Sequence, residues 1–396
     1  MRDPGSKIPG SWALIACIGL IALNMRGPFV AVAPVAELMQ LDLGYTSVEL
    51  GLLTGIPVLC FSLAAPLASL SARRLGAEAA ITLTLIGVLT GVVVRSAGGP
   101  VLVMLGTVVL GVAITLGNIA VPLIIRRDFS SRRQGSALGI YTAALNTGAF
   151  ITSVATAPLA GLIGWPLALA ASAVFAVAAL GLWLPAAGST SSRPVQNDCP
   201  DGQSSSDRGG TSWITVGLTV GFASQAVSYY GLTAWLPTLL ADELGMAPSA
   251  AGAGSSLFQI LAIVGALAVP LTARVVSTTA VALTLGALWL TVPLGLLLAP
   301  ELWWFWCSLG GIAQGGGITL IFTAIVKIAR DAASAGRMSA VVQGVGYWFG
   351  AASPTFLGFV YSVTGGWAWP LLVILCSVLA FILGTTLSVR LVPQQK

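Results

Sequence analysis

The stretch Ala22-Leu23-Asn24-Met25-Arg26-Gly27-Pro28-Phe29 sits near the middle of an apolar run covering about residues 11 to 36. A helix that spans a bilayer needs about 20 such residues. The run is therefore long enough to cross, and Arg26 falls at membrane depth. A guanidinium there costs about 2.5–3.5 kcal/mol on insertion scales, and residues kept at that cost face a protein interior or a watery cavity.

The chain around this run has the composition of a polytopic membrane protein. Of its 396 residues, 56% are hydrophobic and 8% charged, against about 25% charged in soluble proteins. Its partner is thus a lipid bilayer, and the formal net charge of +5 carries no case for nucleic acid. Cys17, Cys60, Cys199, Cys307 and Cys376 include no CxxC pair, and histidine is absent. No metal site, cofactor or disulfide framework is expected.

Apolar stretches at about 11–36, 46–70, 77–97, 100–125, 134–160 and 165–185 predict six spans. A second six lie at about 213–240, 248–272, 276–299, 301–326, 337–363 and 367–389. With twelve spans and both termini in the cytoplasm, every Lys and Arg except Arg26 and Arg95 falls on the inner side. Arg95 is assigned to an outer span end, leaving Arg26 as the sole basic residue within a span. Glu37, Asp42, Glu49, Asp242, Glu243 and Glu301 fall in outer loops. The chain is expected to be a monomer.

Residues 186–212, rich in Ser, Gly and Asp, lack the composition to build a core and read as a flexible cytoplasmic linker. They separate an N-terminal six-helix bundle (1–185) from a C-terminal one (213–396). Arg127-Asp128-Phe129-Ser130-Ser131-Arg132-Arg133-Gln134-Gly135-Ser136-Ala137 realigns with Arg330-Asp331-Ala332-Ala333-Ser334-Ala335-Gly336-Arg337-Met338-Ser339-Ala340 at an offset of 203 residues. Leu43-Gly44 matches Leu244-Gly245, and Gly164-Trp165 matches Gly366-Trp367. An even number of spans per half makes the repeats parallel, the arrangement in which a midplane site lies between halves that rock. The expected fold is an all-α polytopic membrane protein with twelve transmembrane helices in two parallel six-helix repeats, the major facilitator fold.

Few polar side chains lie deep in the spans. The first half offers Asn24, Arg26, Asn118, Tyr141 and Asn146; the second offers Gln225, Tyr229, Tyr230, Trp235, Gln259, Gln314, Gln343 and Tyr347. All are candidate substrate-binding residues, although such amides also serve as interhelical glue. The acidic residues all lie at span ends, in loops or in the linker, so Arg26 has no obvious carboxylate partner, and its planar fork suits a small anion or a polarisable planar solute. At the repeat offset Arg26 corresponds to Tyr229, which is expected to face it. Arg73, Arg74, Arg127, Asp128, Arg330 and Asp331 set orientation and are candidates for a cytoplasmic gate. Without histidine, a metal cluster or a buried acid pair, the groups for general acid–base catalysis are lacking, and an enzyme is not expected.

Several motifs resemble the cyanate permease and 2-nitroimidazole transporter family (CynX/NimT type) of the major facilitator superfamily. They are Asn24-Met25-Arg26, Gly51-Leu52-Leu53-Thr54, Pro57-Val58-Leu59-Cys60, Gly117-Asn118 and Tyr141-Thr142-Ala143-Ala144-Leu145-Asn146 in the first half. The second half adds Tyr230-Gly231-Leu232-Thr233-Ala234-Trp235-Leu236-Pro237, Ser256-Leu257-Phe258-Gln259 and Gln343-Gly344-Val345-Gly346-Tyr347. The resemblance implies a bacterial inner-membrane protein and secondary transport of a small anionic or compact planar nitrogen-containing solute by alternating access. Proton-coupled efflux on the same fold is the alternative, and a non-transporting membrane sensor a further one. The chain departs from the family pattern where Gly27 separates Arg26 from Pro28, and where Ser69–Gly76 lacks the superfamily's usual acidic residue.

Overall fold

The computed structural model describes residues 11–129, 131–187, 213–272, 275–328 and 332–390. Most of the linker at 186–212 therefore lies outside the described residues, as do Arg330 and Asp331. The helices are α1 (Ser11–Val30), α2 (Ala36–Leu43), α3 (Ser47–Leu63), α4 (Ala65–Leu75), α5 (Ala77–Ser96), α6 (Pro100–Asp128), α7 (Ser131–Ile163), α8 (Trp165–Ala170) and α9 (Ala173–Ala187). After the linker follow α10 (Trp213–Leu244), α11 (Pro248–Ile260), α12 (Ala262–Thr272), α13 (Thr278–Leu298), α14 (Trp303–Ile328), α15 (Ala332–Thr364) and α16 (Ala368–Arg390). Short 3₁₀ turns at Ala33–Val35 and Pro300–Leu302 complete the described elements.

Local chemistry sets the breaks. The first predicted span ends as a regular helix at Val30, just past Pro28, and resumes as α2 beyond Pro34. The second, expected to be continuous, bends by 56° between α3 and α4. Pro66 has no N–H to give the Ser62 carbonyl one turn back, so the ladder parts there. At the start of α3, Thr46 and Glu49 form a reciprocal capping box, with Glu49 Oε2 accepting from the Thr46 N–H at 2.8 Å. Gly44 and Gly245, with φ of +67° and +62°, stop α2 and α10 in the left-handed conformation that a Cβ disfavours.

Among the described residues nine helical stretches are long and apolar enough to cross a membrane, or ten with α3–α4 as one bent span. α10 and α15, of 32 and 33 residues, are longer than any of them but too polar to qualify. Large apolar side chains such as Leu41, Leu162 and Leu298 cover the outside of the bundle, the surface that lipid tails solvate.

The helix pairings repeat. In the first half α1 packs on α7 and α9, α3 on α6, and α5 on α6 and α9. In the second, α10 packs on α15 and α16, α12 on α14, and α13 on α14 and α16. Matching clasps close each half: the Trp165 indole donates to Asp42 at 2.9 Å, and the Trp367 indole to Asp242 at 2.8 Å.

The halves meet chiefly along α3–α15 and α7–α11. Along the first seam α3 lies almost backbone to backbone on α15: a Cβ added at Gly55 would sit 2.3 Å from the Ala351 carbonyl oxygen, and one at Gly51 2.6 Å from Pro354. Across the second, Ser153 Oγ donates to the Gly252 carbonyl at 2.9 Å and lies 3.1 Å from Ser255 Oγ. α4 and the Arg126–Asp128 end of α6 pack chiefly on first-half helices instead.

Gly55→Val is expected to destabilise the α3–α15 seam by about 1–3 kcal/mol, read as a lower melting temperature of the purified protein. Gly139→Ala, where an added Cβ meets nothing within 4 Å, should leave it unchanged. Equal melting of all three proteins would contradict the close approach.

Candidate functional site

Arg26 projects from α1, one turn before the helix ends. Its Nη1 donates to Asn146 Oδ1 on α7 at 2.7 Å, and its Cζ lies 5.1 Å from the centroid of the Tyr229 ring on α10. A guanidinium at that distance is attracted by the negative face of the ring. The side chain is half-buried, and the tyrosines at 141, 229, 230 and 347 surround it within electrostatic reach. Among the described residues no carboxylate pairs with it. A cation at span depth is thus held by a neutral amide and an aromatic face.

Each neighbour is itself tied down. Asn146 donates to the Thr142 carbonyl one turn back at 2.9 Å, which points its carbonyl oxygen at Arg26. The Tyr229 hydroxyl donates to Gln259 Oε1 at 3.2 Å, and Gln259 Nε2 donates to Thr233 Oγ1 at 3.2 Å. Tyr229 stacks on Phe258 and meets Tyr230 edge-on, with centroids 6.0 and 4.8 Å apart. Beside Arg26, Tyr141 donates to Asn118 Oδ1 at 3.0 Å. A cavity of about 10 Å³ between Ala33, Ser153, Thr233 and Gln259 adjoins this network at the seam between the halves, room for about one water.

The structure thus brings together Arg26, Asn146, Tyr229, Tyr230, Gln259, Tyr141, Asn118 and Tyr347. The remaining candidates lie elsewhere. Asn24 is fully buried, with its amide on the Leu20 carbonyl of its own helix at 2.9 Å. Gln225 donates to the Gln314 carbonyl at 2.7 Å, joining α10 to α14 within the second half. Gln343 donates to Ser339 one turn back at 2.6 Å. Trp235 donates to the Pro354 carbonyl at 2.8 Å, and its ring meets Trp367 at 5.8 Å, so it packs at the close contact of α10 and α15. Tyr347 reaches both halves through its rings, packing edge-on against Phe61 and Phe222.

Arg127 forms ion pairs with Glu78 at 2.6 Å and Asp128 at 2.7 Å, all within the first half. The sequence reading did not anticipate Glu78 as a partner. Arg74 is exposed at the end of α4, which also carries Arg73. Arg95 stands in the last turn of α5, at the end of a span, but its side chain is fully buried there, and its Nη1 donates to the Pro28 carbonyl at 2.7 Å. Among the described residues Arg26 is therefore one of two guanidiniums inside the helical bundle. Arg95, Glu78, Thr233, Ser153 and Ser255 are the polar contributors that local sequence did not reveal.

Comparison with known proteins agrees with this architecture. Residues 14–309 match the Major Facilitator Superfamily model. The chain is 32% identical to the 2-nitroimidazole transporter of Escherichia coli K12 over 374 residues, covering 94% of each chain. It is 26% identical to the cyanate transport protein CynX of the same organism, covering 89% of this chain and 91% of that one. It is 30% identical to an uncharacterized transporter, YycB, of Bacillus subtilis 168, covering 96% and 94% respectively. In structure it resembles the nucleoside transporter NupG (TM-score 0.75, 10% identity, 95% and 99% covered) and a D-xylose–proton symporter (0.74, 13%, 97% and 98%). With relatives named as transporters over nearly its whole length, the chain belongs to the major facilitator superfamily, in its cyanate and 2-nitroimidazole transporter family.

Proposed function

We propose that this transporter carries a small anionic or compact planar nitrogen-containing solute by alternating access, with Arg26 as its central contact. The observation that carries the reading is a guanidinium at span depth, held by neutral Asn146 and the Tyr229 ring with no carboxylate among the described residues pairing it. An anion supplies the missing charge, and the fork can bind it bidentately. A planar heterocycle suits the same place because guanidinium and tyrosine rings both present flat, polarisable faces. The relatives named for cyanate and 2-nitroimidazole indicate both chemistries.

Beside the α3–α15 and α7–α11 seams, the 3₁₀ turn that follows α1 packs on α10 and α11, while α4 packs on α3, α5 and α6 of its own half. That arrangement suits a site sealed from one side, which alternating access requires. Moving one negative charge into the cell against about 100 mV costs about 2.3 kcal/mol. Glu78, a buried acid in the first turn of α5, is engaged by Arg127, and among the described residues no acid pairs with Arg26 to accept a proton. Exchange, entry followed by consumption, or export therefore fits an anion better than proton symport does. The same lack of an acid weighs against proton-coupled efflux.

In proteoliposomes, Arg26→Ala is expected to abolish uptake of cyanate and 2-nitroimidazole while the protein is still made and inserted. The loss of a charge-paired contact corresponds to about 2–5 kcal/mol of binding. Arg26→Lys keeps the charge without the fork and should retain partial uptake. Wild-type rates in Arg26→Ala would reject the site. For an anion, preloading vesicles with unlabelled cyanate should speed entry of label several-fold, whereas an imposed pH gradient should not drive accumulation. Accumulation driven by the gradient would instead favour proton coupling. We also propose that the linker faces the cytoplasm. A membrane-impermeant maleimide should then label Cys199 in inside-out vesicles and not in intact cells.

A further inference from the structure

Arg95 lies in the last turn of α5, fully buried. Among the described residues the Pro28 carbonyl is the partner of Nη1, and Nε and Nη2 are buried without one. A cation so sparsely satisfied is costly to keep in a bundle, and it has no free surface on which to meet a solute. Its role lies in what it holds.

What it holds is the place where α1 comes apart. In a continuing helix the Pro28 carbonyl would accept the N–H of residue 32, four positions on. Here the Val32 N–H turns to the Phe29 carbonyl at 3.5 Å, while Ala31 still reaches Gly27 at 3.0 Å. The Pro28 oxygen is thereby released from the ladder, and Arg95 donates to it across the helix pair. A positive charge there also meets the partial negative charge at the C-terminal end of α1. Gly106 on α6 fixes where the guanidinium starts. A Cβ at that position would lie 2.4 Å from the Arg95 backbone nitrogen and 2.7 Å from its Cα. Arg26 stands on the same helical turn as Pro28, two residues earlier.

We propose that Arg95 is a positioning residue: by clamping the Pro28 carbonyl it sets the height and rotation of the α1 turn that presents Arg26 to Asn146 and Tyr229. Its bearing on transport rests on the proposed role of Arg26, whereas its effect on the backbone does not. The first test is therefore amide hydrogen exchange on the purified full-length protein. Arg95→Met, of similar length and without donors, should raise exchange at least tenfold in residues 29–36 and leave the other helices unchanged. Arg95→Lys, which can still reach one carbonyl, should restore most of the protection. Unchanged exchange, or a rise spread evenly over the bundle, would overturn the clamp. Should Arg95→Met fail to fold, Gly106→Ala displaces the same backbone and should loosen the same segment; protection there equal to wild type would also count against it.

The second test is uptake of cyanate and 2-nitroimidazole by the folded variants. Arg95→Met should raise KM about tenfold with little change in maximal rate. Combined with Arg26→Lys it should cost less than the product of the two single losses, because both act through one guanidinium. Multiplicative losses would show that Arg95 acts independently of Arg26. If wild type transports neither probe, the substrate reading fails while the exchange experiment still decides the clamp.

Discussion

A guanidinium placed among helices, with no counter-acid among the described residues, constrains much of this molecule. Charge at that depth has to be compensated by neutral groups, and several elements must bring them. α7 supplies Asn146, and α10 supplies the Tyr229 face, itself held by Gln259 of α11. The polar side chains that line such a site lower the apolarity of the helices carrying them. Among the described residues α10 and α15 are the two long helices too polar to stand out as spans, and they bear Tyr229, Tyr230 and Tyr347. Apolarity alone therefore finds α1 and α7 but overlooks α10 and α15, which length and the repeat locate.

The repeat made much of this visible in advance. An offset of 203 residues set Arg26 against Tyr229, and the ring does lie against the guanidinium. Gly44 with Gly245, and Trp165 with Trp367, stand at equivalent ends and perform equivalent work. Helical spacing also bears on Asn24: two residues from Arg26 is about 200° around the axis, which fits its burial away from the cluster. Span breaks were partly legible, since Pro66 explains the bend after α3, although the apolar run passed straight through it.

Arg95 shows why the remainder was hidden. Its neighbours in sequence, Ser96-Ala97-Gly98-Gly99, mark a loop, and an arginine beside a loop ordinarily points to water. It points inward because a carbonyl 67 positions earlier has lost its helical partner, a need created by the break in α1. Glu78 is similar: it opens α5 beside Gly76, and its partner Arg127 arrives from the far end of α6. Trp235 carried an aromatic signal as strong as that of Tyr229, yet its indole serves the packing of α10 on α15. Residue type marked these side chains as unusual, and long-range geometry determined their use.

The paired indole–carboxylate clasps have a mechanical consequence. Each ties the start of its half's last span to the end of its first, so each set of helices becomes a hoop rather than an open fan. A hoop resists shear among its members and transmits a push at one rim to the opposite rim. Among the described residues no such clasp crosses between α3 and α15, where the glycine-lined contact carries instead a hydrogen bond from Ser62 Oγ to the Gly344 carbonyl at 3.1 Å. In the alternating access proposed above, that line would serve two stiff halves as a narrow bearing.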